Sequence, residues 1–137
     1  MANSLNTALS AVSGSTVAVS PTDIPRDTGQ APVSVTFSSG PVLSAAYWRI
    51  IADGRAGTSS FDHEQIYGLP NAVDAVEVLG NTLAGKRLLS AFIEPSTGDL
   101  HFNFADHVTF QVFNFTGYEI WDIWFPDGAV EYSNYNK

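Results

Sequence analysis

An internal similarity between the two halves of the chain constrains its fold more than any single residue does. Residues 48–54, Trp-Arg-Ile-Ile-Ala-Asp-Gly, resemble residues 121–128, Trp-Asp-Ile-Trp-Phe-Pro-Asp-Gly. Each segment follows a short helical pattern, a glycine and several strand patterns. Because one such unit can hardly bury its own sheet face, two units are expected to share one interior. We predict a single domain, 1–137, built from two pseudo-repeats at about 1–56 and 72–132 that are joined by a polar loop.

Two segments have the periodicity of amphipathic helices. Apolar residues recur at helical spacing over 5–12 and over 73–83. Gly14 and Gly85 follow these segments, and glycine is typical of the position just after a helix. Asn71 is a suitable capping residue for the second segment. The sequence therefore predicts one short helix at the start of each half.

Most of the remaining chain alternates apolar and polar residues, which is typical of half-buried strands. The predicted strands, in chain order, are 16–19, 33–37, 42–51, 87–93, 100–104, 108–112, 118–125 and 130–132. Short turns favour antiparallel pairing, since parallel pairing requires long crossovers. Segments 20–32 and 53–71 are predicted loops. We expect an α+β fold with two helices packed on a largely antiparallel sheet, either as one continuous sheet or as two packed sheets.

Composition and charge restrict the class of function. Apolar residues make up 45% of the chain and aromatic residues 12%, so extended disorder is disfavoured. The net charge is −8, of which −2 lies in residues 1–68 and −6 in residues 69–137. This charge disfavours nucleic-acid binding, which requires clustered cations, and favours a basic protein partner. The simpler alternative is that surplus acid maintains solubility.

Several other features argue against particular classes of protein. No run of about 18 apolar residues occurs, so no membrane span is expected. Segment 1–14 lacks the basic residues and the long apolar stretch of a secretory signal. The chain has no cysteine, which rules out disulfides and thiolate chemistry. Glycine-rich phosphate-binding motifs are absent from the sequence as well. These features predict a cytoplasmic protein that uses no cofactor.

The densest cluster of polar functional groups lies in the predicted loop after the first tryptophan strand. Its charged and titratable members are Asp53, Arg55, Asp62, His63 and Glu64. Asp62, His63 and Glu64 are adjacent in sequence, and adjacent side chains rarely converge on one metal ion. A catalytic triad would use Ser59 or Ser60, but the Gly-x-Ser-x-Gly elbow is absent. Turn capping and loop hydrogen bonds are the simpler role. We predict that the segment 53–64 is a contact surface, because polar loops on a rigid sheet often carry recognition.

Two further candidate residues lie in the second half of the chain. Glu119 shares a strand face with Trp121, so it is expected at the core margin with a partner such as Arg49 or Arg87. The alternative for Glu119 is a carboxylate with a perturbed pKa in a cleft. Trp124 lies on the opposite face, and the surplus of aromatic residues predicts either that both sheet faces are covered or that one carries an exposed apolar patch. A homodimer is the simplest way to cover such a patch.

Several short segments also carry a family resemblance. They are Trp-Arg-Ile-Ile-Ala-Asp-Gly-Arg at 48–55, Thr-Ser-Ser-Phe-Asp-His at 58–63, Gly-Leu-Pro at 68–70, Val-Asp-Ala at 73–75, Thr-Gly-Asp-Leu at 97–100, Tyr-Glu-Ile-Trp at 118–121 and Pro-Asp-Gly at 126–128. These segments, spread over about residues 40–130, resemble a small uncharacterised bacterial domain family that is similar to immunity proteins of polymorphic toxin systems. The resemblance implies a binding protein and implies no catalytic residue.

These observations together lead to one functional prediction and two alternatives. We predict a non-enzymatic bacterial protein that binds another protein, in the manner of an immunity protein that masks a toxin. Its acidic surface and the 53–64 segment are expected to make the contact. The first alternative is a structural or regulatory homodimer. The second is a small hydrolase or metal-dependent enzyme built on the 53–64 segment.

Overall fold

The computed structural model describes residues 2–22, 31–114 and 120–133, without the side chains of residues 2–4. The expectations for Glu119 and for most of the 20–32 loop lie outside these ranges. The described residues form two α-helices, ten β-strands and one 3-10 helix. In chain order these elements are α1 (Ala2–Ser10), β1 (Val17–Pro21), β2 (Val33–Phe37), β3 (Val42–Ala45), β4 (Trp48–Ala52), β5 (Arg55–Ser59), the 3-10 helix (Ser60–Asp62), α2 (Ala75–Leu83), β6 (Leu88–Ile93), β7 (Leu100–Phe104), β8 (Val108–Val112), β9 (Trp121–Trp124) and β10 (Val130–Tyr132).

The strands form two five-stranded sheets. Sheet A has the order β1-β2-β3-β9-β10, and sheet B has the order β5-β4-β8-β7-β6. Neighbouring strands pair antiparallel throughout both sheets. The predicted α+β class and the antiparallel pairing are therefore confirmed. The arrangement is two sheets, and not one sheet that carries both helices.

Each sheet takes strands from both halves of the chain. Sheet A combines β1, β2 and β3 with the hairpin β9–β10, whereas sheet B combines β6, β7 and β8 with the hairpin β4–β5. The halves are joined where Ala45 of β3 lies opposite Trp121 of β9 and where Trp48 of β4 lies opposite Val112 of β8. Neither half contains a complete sheet, because each contributes its hairpin to the other half's strands.

The strand predicted over 42–51 is in fact two strands in different sheets. The chain leaves sheet A after β3 and enters sheet B with β4, and residues 46 and 47 form the crossing. The Ala46 N–H donates to the Ile120 carbonyl at 3.2 Å, and the Phe113 N–H donates to the Tyr47 carbonyl at 2.9 Å. These bonds satisfy the backbone at the crossing. The sequence pattern does not reveal the break, because alanine suits either face of a sheet.

The segment 53–64, predicted to be a loop, contains β5 and the 3-10 helix. Asp53 and Gly54 form the two-residue turn of the β4–β5 hairpin with φ values of 52° and 77°, and Asp-Gly is a typical hairpin turn. The β5 sequence Arg-Ala-Gly-Thr-Ser lacks the apolar alternation that identifies strands, and its first three residues are exposed. The loop prediction for this segment is therefore wrong, because pairing with β4 makes it a strand.

The two helices lie beside edge strands. α1 packs against β6, and α2 packs against β1 and β5. Gly14 and Gly85, with φ values of 90° and 71°, follow the helices as predicted. α2 is capped by Asp74, which accepts from the Glu77 N–H at 3.1 Å, and not by Asn71 as predicted. In the described part of the chain, no helix has the length and apolar character needed to cross a bilayer.

One hydrophobic core is shared by the two sheets and the helices. Phe37 of β2 meets Phe102 of β7 with ring centroids 5.5 Å apart, so the aromatic contacts cross from one sheet to the other. Phe102 also meets Phe110 of β8 at 5.9 Å. Trp48 and Trp121 are both fully buried in this core. The predicted inward faces of β2, β7 and β8 are confirmed by their alternating burial.

Candidate functional site

The polar residues predicted to form one cluster are divided by β5 into two groups. Asp53 and Arg55 lie at the β4–β5 turn, whereas Asp62, His63 and Glu64 lie at the other end of β5, at and after the 3-10 helix. A five-residue strand spans about 16 Å. The structure therefore brings Asp62, His63 and Glu64 together and separates them from the other two residues.

The turn end of β5 contacts the neighbouring turn of sheet B through the backbone. The Asp53 N–H donates to the His107 carbonyl at 3.1 Å. Asp106, the residue before His107, forms an ion pair with Lys86 at 3.6 Å. Asp53 and Arg55 are both exposed. This contact joins the β4–β5 and β7–β8 hairpins and leaves the Asp53 and Arg55 side chains toward solvent.

Asp62 accepts hydrogen bonds with both of its carboxylate oxygens, one from the backbone and one from a side chain. Its Oδ2 accepts from the Ser59 N–H at 2.8 Å, and Ser59 Oγ accepts from the Phe61 N–H at 3.2 Å. These reciprocal bonds form the cap of the 3-10 helix. Asp62 Oδ1 accepts from the Tyr67 hydroxyl at 2.8 Å. Asp62 therefore connects the 3-10 helix to the loop that follows it.

His63 connects the same loop to the start of α2. Its Nδ1 accepts from the N–H of Ala75, the first residue of α2, at 3.1 Å. An accepting Nδ1 carries no proton, so this hydrogen bond favours the tautomer with its proton on Nε2. Asp62 and His63 thus bind different partners. Within the ranges described, no group of three or more His, Asp or Glu side chains is arranged to hold a metal ion.

The loop between His63 and α2 is closed at its base by backbone hydrogen bonds. The Glu64 N–H donates to the Val73 carbonyl, and the Val73 N–H donates to the Gln65 carbonyl, both at 2.8 Å. Glu64 has a φ of 67°, which turns the chain into the loop. Because its two ends are bonded to each other, the loop has a defined shape of its own.

The far end of this loop exposes large apolar side chains. Ile66 is 58% exposed, Tyr67 67% and Leu69 52%, and Phe61 of the preceding 3-10 helix is 50% exposed. The Leu69 N–H donates to the Ile66 carbonyl at 2.8 Å and closes a tight turn. The Phe61 ring stacks on Tyr47 with centroids 5.5 Å apart. We call Phe61, Ile66, Tyr67 and Leu69 the apolar tip.

Tyr67 has an unfavourable backbone conformation for a bulky residue. Its φ of 49° lies in the left-handed region, which suits glycine or asparagine. Its hydroxyl donates to Asp62, and this hydrogen bond is the largest factor that raises the pKa of Tyr67 above its usual value. The Asp62 charge acts in the same direction, because ionisation would place an anion beside a carboxylate.

The apolar tip lies within an acidic stretch of sequence. Residues 56–85 contain no lysine or arginine and four acidic residues, which are Asp62, Glu64, Asp74 and Glu77. Glu64, Asp74 and Glu77 are exposed, and Asp62 is half-buried. The tip therefore combines apolar side chains with uncompensated negative charge.

Ile66, Tyr67 and Leu69 are not among the candidate residues predicted from the sequence. They lie in a segment with Gly68 and Pro70 that has neither helical nor strand periodicity, which is typical of a loop. The sequence does contain a signal for the tip, which is three large apolar residues within four positions of a turn segment. Because turns in a folded protein are normally at the surface, these side chains are expected to be exposed.

A second exposed apolar group lies on the outer face of sheet A. Trp124 is 51% exposed, whereas Trp121 on the same strand is buried, so the predicted orientation of Trp124 is confirmed. Trp124 lies opposite Val42 of β3 and Val130 of β10. These three residues form an apolar corner where β3, β9 and β10 meet.

Comparison of the chain with protein-family models, with curated proteins and with solved structures finds no match. The resemblance to immunity proteins therefore stays a prediction from short sequence segments.

Proposed function

We propose that this protein binds another protein and that the apolar tip forms the centre of the contact. The main observation in support of this proposal is the conformation and exposure of Tyr67. A bulky aromatic residue occupies a left-handed backbone conformation, and its ring projects into solvent. Neither the conformation nor the exposure stabilises the folded chain. Exposed apolar groups of this kind are the ones that protein interfaces bury.

The rigidity of the loop supports the same proposal. Backbone bonds close its base, Asp62 holds the Tyr67 hydroxyl, and His63 ties the loop to α2. A preformed loop loses little conformational entropy when it binds, so more of the contact energy appears as affinity. Asp62 and His63 then orient the tip and do not contact the partner themselves.

The narrower part of the proposal concerns the identity of the partner. The sequence resemblance over about residues 40–130 suggests a bacterial toxin that the protein masks. Such an inhibitor needs no catalytic group of its own, so a non-enzymatic role belongs to the proposal. The toxin as partner rests on the resemblance alone, whereas protein binding rests on the geometry of the tip.

Site-specific photo-crosslinking in cells tests protein binding at the tip. A photoreactive amino acid would replace Leu69, and a matched variant would carry it at Leu89, which is 59% exposed on β6. We expect a discrete adduct with one protein at position 69 and none at position 89. The same adducts at both positions, or no adduct at position 69, would contradict the proposal.

A homodimer is the second candidate function, and the apolar corner around Trp124 favours it. Val42 and Val130 flank Trp124 on a sheet face that the described helices do not cover. In a twofold dimer formed through this corner, the three side chains of each protomer would be buried against those of its partner. Sedimentation velocity at high protein concentration tests this candidate. A dimer that Trp124→Ser dissociates supports it, and a monomeric parent protein excludes it.

We propose further that the two halves derive from one duplicated unit. The buried tryptophans support this, since their indole groups have equivalent partners. Trp48 Nε1 donates to the Ala31 carbonyl at 2.8 Å, and Trp121 Nε1 donates to the Gly98 carbonyl at 2.8 Å. Each acceptor lies two residues before a strand, β2 in one case and β7 in the other.

The backbone of each tryptophan also has an equivalent partner. The Trp48 N–H donates to Ser60 Oγ at 3.2 Å, and the Trp121 N–H donates to Ser133 Oγ at 3.1 Å, each across twelve residues. Each half runs through a helix, three strands and a hairpin, and the hairpins are exchanged between the sheets. Co-expression of residues 1–70 and 71–137 as separate chains tests the exchange of hairpins that this proposal includes. We expect a one-to-one complex, and independent folding of either piece would contradict the exchange.

A further inference from the structure

The charge around the apolar tip extends the proposal from a protein partner to the chemistry of that partner. We infer that the partner presents lysine or arginine side chains around an apolar centre. This inference rests on the proposed function, because it uses the same tip. It adds a requirement on charge that protein binding alone does not impose.

Carboxylates are present at both ends of the loop and at its tip. Glu64 precedes the loop and Asp74 follows it, while Asp62 contacts the Tyr67 hydroxyl at 2.8 Å. Glu77 lies in the first turn of α2. An apolar group that docks on Tyr67 is therefore beside the Asp62 carboxylate, and three further carboxylates lie on the same stretch of chain.

These charges are not neutralised by the described residues of the chain itself. Within the ranges that the structure describes, no cation forms an ion pair with Glu64 or Glu77. Lys86, which follows α2, pairs with Asp106. Unpaired like charges repel one another, and a cationic partner would relieve that repulsion and accelerate encounter.

The same charges argue against the two other classes of macromolecule that bind exposed apolar or charged surfaces. An anionic membrane would repel the carboxylates even while it attracted the apolar side chains. A nucleic acid requires cations on the protein, which residues 56–85 lack. A basic, partly apolar protein surface matches both properties of the tip.

Three synthetic peptides provide the test. They share one amphipathic pattern of leucine and phenylalanine and carry lysine, glutamine or glutamate at all other positions. Each is titrated into the full-length ¹⁵N-labelled protein, and amide resonances are followed by NMR. We expect the lysine peptide to shift resonances of residues 61–77 and to bind at least about tenfold more tightly than the glutamine peptide. The glutamate peptide should not bind.

Two double variants separate local charge from overall charge. Glu64→Gln with Glu77→Gln should remove the preference for the lysine peptide, and added salt should weaken the preference in the parent protein. Glu94→Gln with Asp127→Asn removes the same number of charges elsewhere and should leave the preference unchanged. If both double variants lose the preference equally, overall charge explains it and the inference is wrong.

The remaining outcomes distinguish the cationic partner from protein binding at the tip. Equal binding of the lysine and glutamine peptides at residues 61–77 would overturn the cationic partner and leave protein binding at the tip intact. No shift at these residues with any peptide would contradict both. Shifts at residues 61–77 with phosphatidylcholine vesicles, in the absence of peptide binding, would assign the tip to a membrane surface and overturn both as well.

Discussion

The two hairpins that begin with buried tryptophans have the same anchors and lead to different surfaces. Trp48 and Trp121 donate to equivalent carbonyls and equivalent serines. After Ser60 the chain continues through the 3-10 helix into the apolar tip, whereas Ser133 is the last residue that the structure describes. Stability and binding are expected to depend on separate residues. The equivalent anchors hold the sheets, and the segment after Ser60 carries the exposed groups.

Removal of either indole should have the largest effect on stability, and it tests whether the two anchors are equivalent. Trp48→Ala and Trp121→Ala should each lower the free energy of unfolding by about 3–5 kcal/mol, because each leaves a cavity and an unpaired buried carbonyl. Urea denaturation followed by circular dichroism measures both. A loss below about 1 kcal/mol for one of them would mean that the two anchors are not equivalent.

Truncation of the buried serines should reveal a difference between the anchors. Ser133 Oγ accepts two backbone N–H groups, from Ile120 at 2.5 Å and from Trp121 at 3.1 Å. Ser60 Oγ accepts one, from Trp48 at 3.2 Å, and donates to the Trp48 carbonyl at 3.5 Å, so its loss leaves one backbone N–H unpaired where the loss of Ser133 leaves two. Ser133→Ala and Ser60→Ala should each cost about 1–3 kcal/mol, with the larger loss for Ser133→Ala. The same urea titrations rank them, and the opposite order would contradict the hydrogen-bond assignment.

The acceptor residues provide a third comparison. Gly98 has a φ of 82°, and a Cβ added to it would lie 2.6 Å from the Asn114 side chain, whereas its counterpart Ala31 already carries a Cβ. Gly98→Ala should therefore cost about 1–3 kcal/mol. Gly54→Ala is the control, because its φ is 77° and nothing lies within 4 Å of an added Cβ. Equal losses would show that the Asn114 contact has no effect on stability.

Substitution of Tyr67 separates stability from binding in the segment after Ser60. Tyr67→Asn suits the left-handed conformation and removes the exposed ring together with its hydroxyl bond to Asp62. Because that bond is exposed to solvent, relief of the backbone strain should outweigh its loss, and the unfolding free energy should rise by up to about 1 kcal/mol. It should also weaken any complex that is made through the tip. Thermal unfolding and the crosslinking assay measure the two effects. A destabilised variant would show that the ring supports the fold.

The smallest expected effect is on ionisation of the same residue. The folded-state pKa of Tyr67 is raised by Asp62, so the Tyr67–Asp62 bond contributes stability below the ordinary tyrosine pKa of about 10. That contribution is lost as the pH rises through the folded-state value. Asp62→Asn should shift the Tyr67 titration, followed by ultraviolet absorbance, toward lower pH. An unchanged titration would contradict the bond.

Local pattern was sufficient to predict much of the fold. The bounds of β2, β7, β8 and β10 follow from alternation and short turns, and Gly85 directly follows the C-cap of α2 as expected. α1 ends at Ser10, four residues before Gly14. β5 was missed, because its sequence has no alternation and only its pairing with β4 makes it a strand. The break at residues 46 and 47 was missed for a related reason, since it depends on which sheet each side joins.

The candidate site was predicted less well than the fold. The exposed orientation of Trp124 followed from strand period two, and residues 62–64 were correctly placed near one another by adjacency. The apolar tip was missed, because its shape depends on bonds from Asp62 to Tyr67 and from Glu64 to Val73. The local sequence does not predict whether a tyrosine in a turn is buried or exposed, or whether its backbone is strained.

The sequence by itself determined the α+β class, the antiparallel pairing and the burial of the strand faces, because these follow from residue periodicity and turn length. Only the tertiary structure decided that the hairpins are exchanged between two sheets and that Asp62 and His63 support the apolar tip. Both depend on hydrogen bonds between groups whose meeting no local pattern specifies, such as Trp121 with Gly98 and His63 with Ala75.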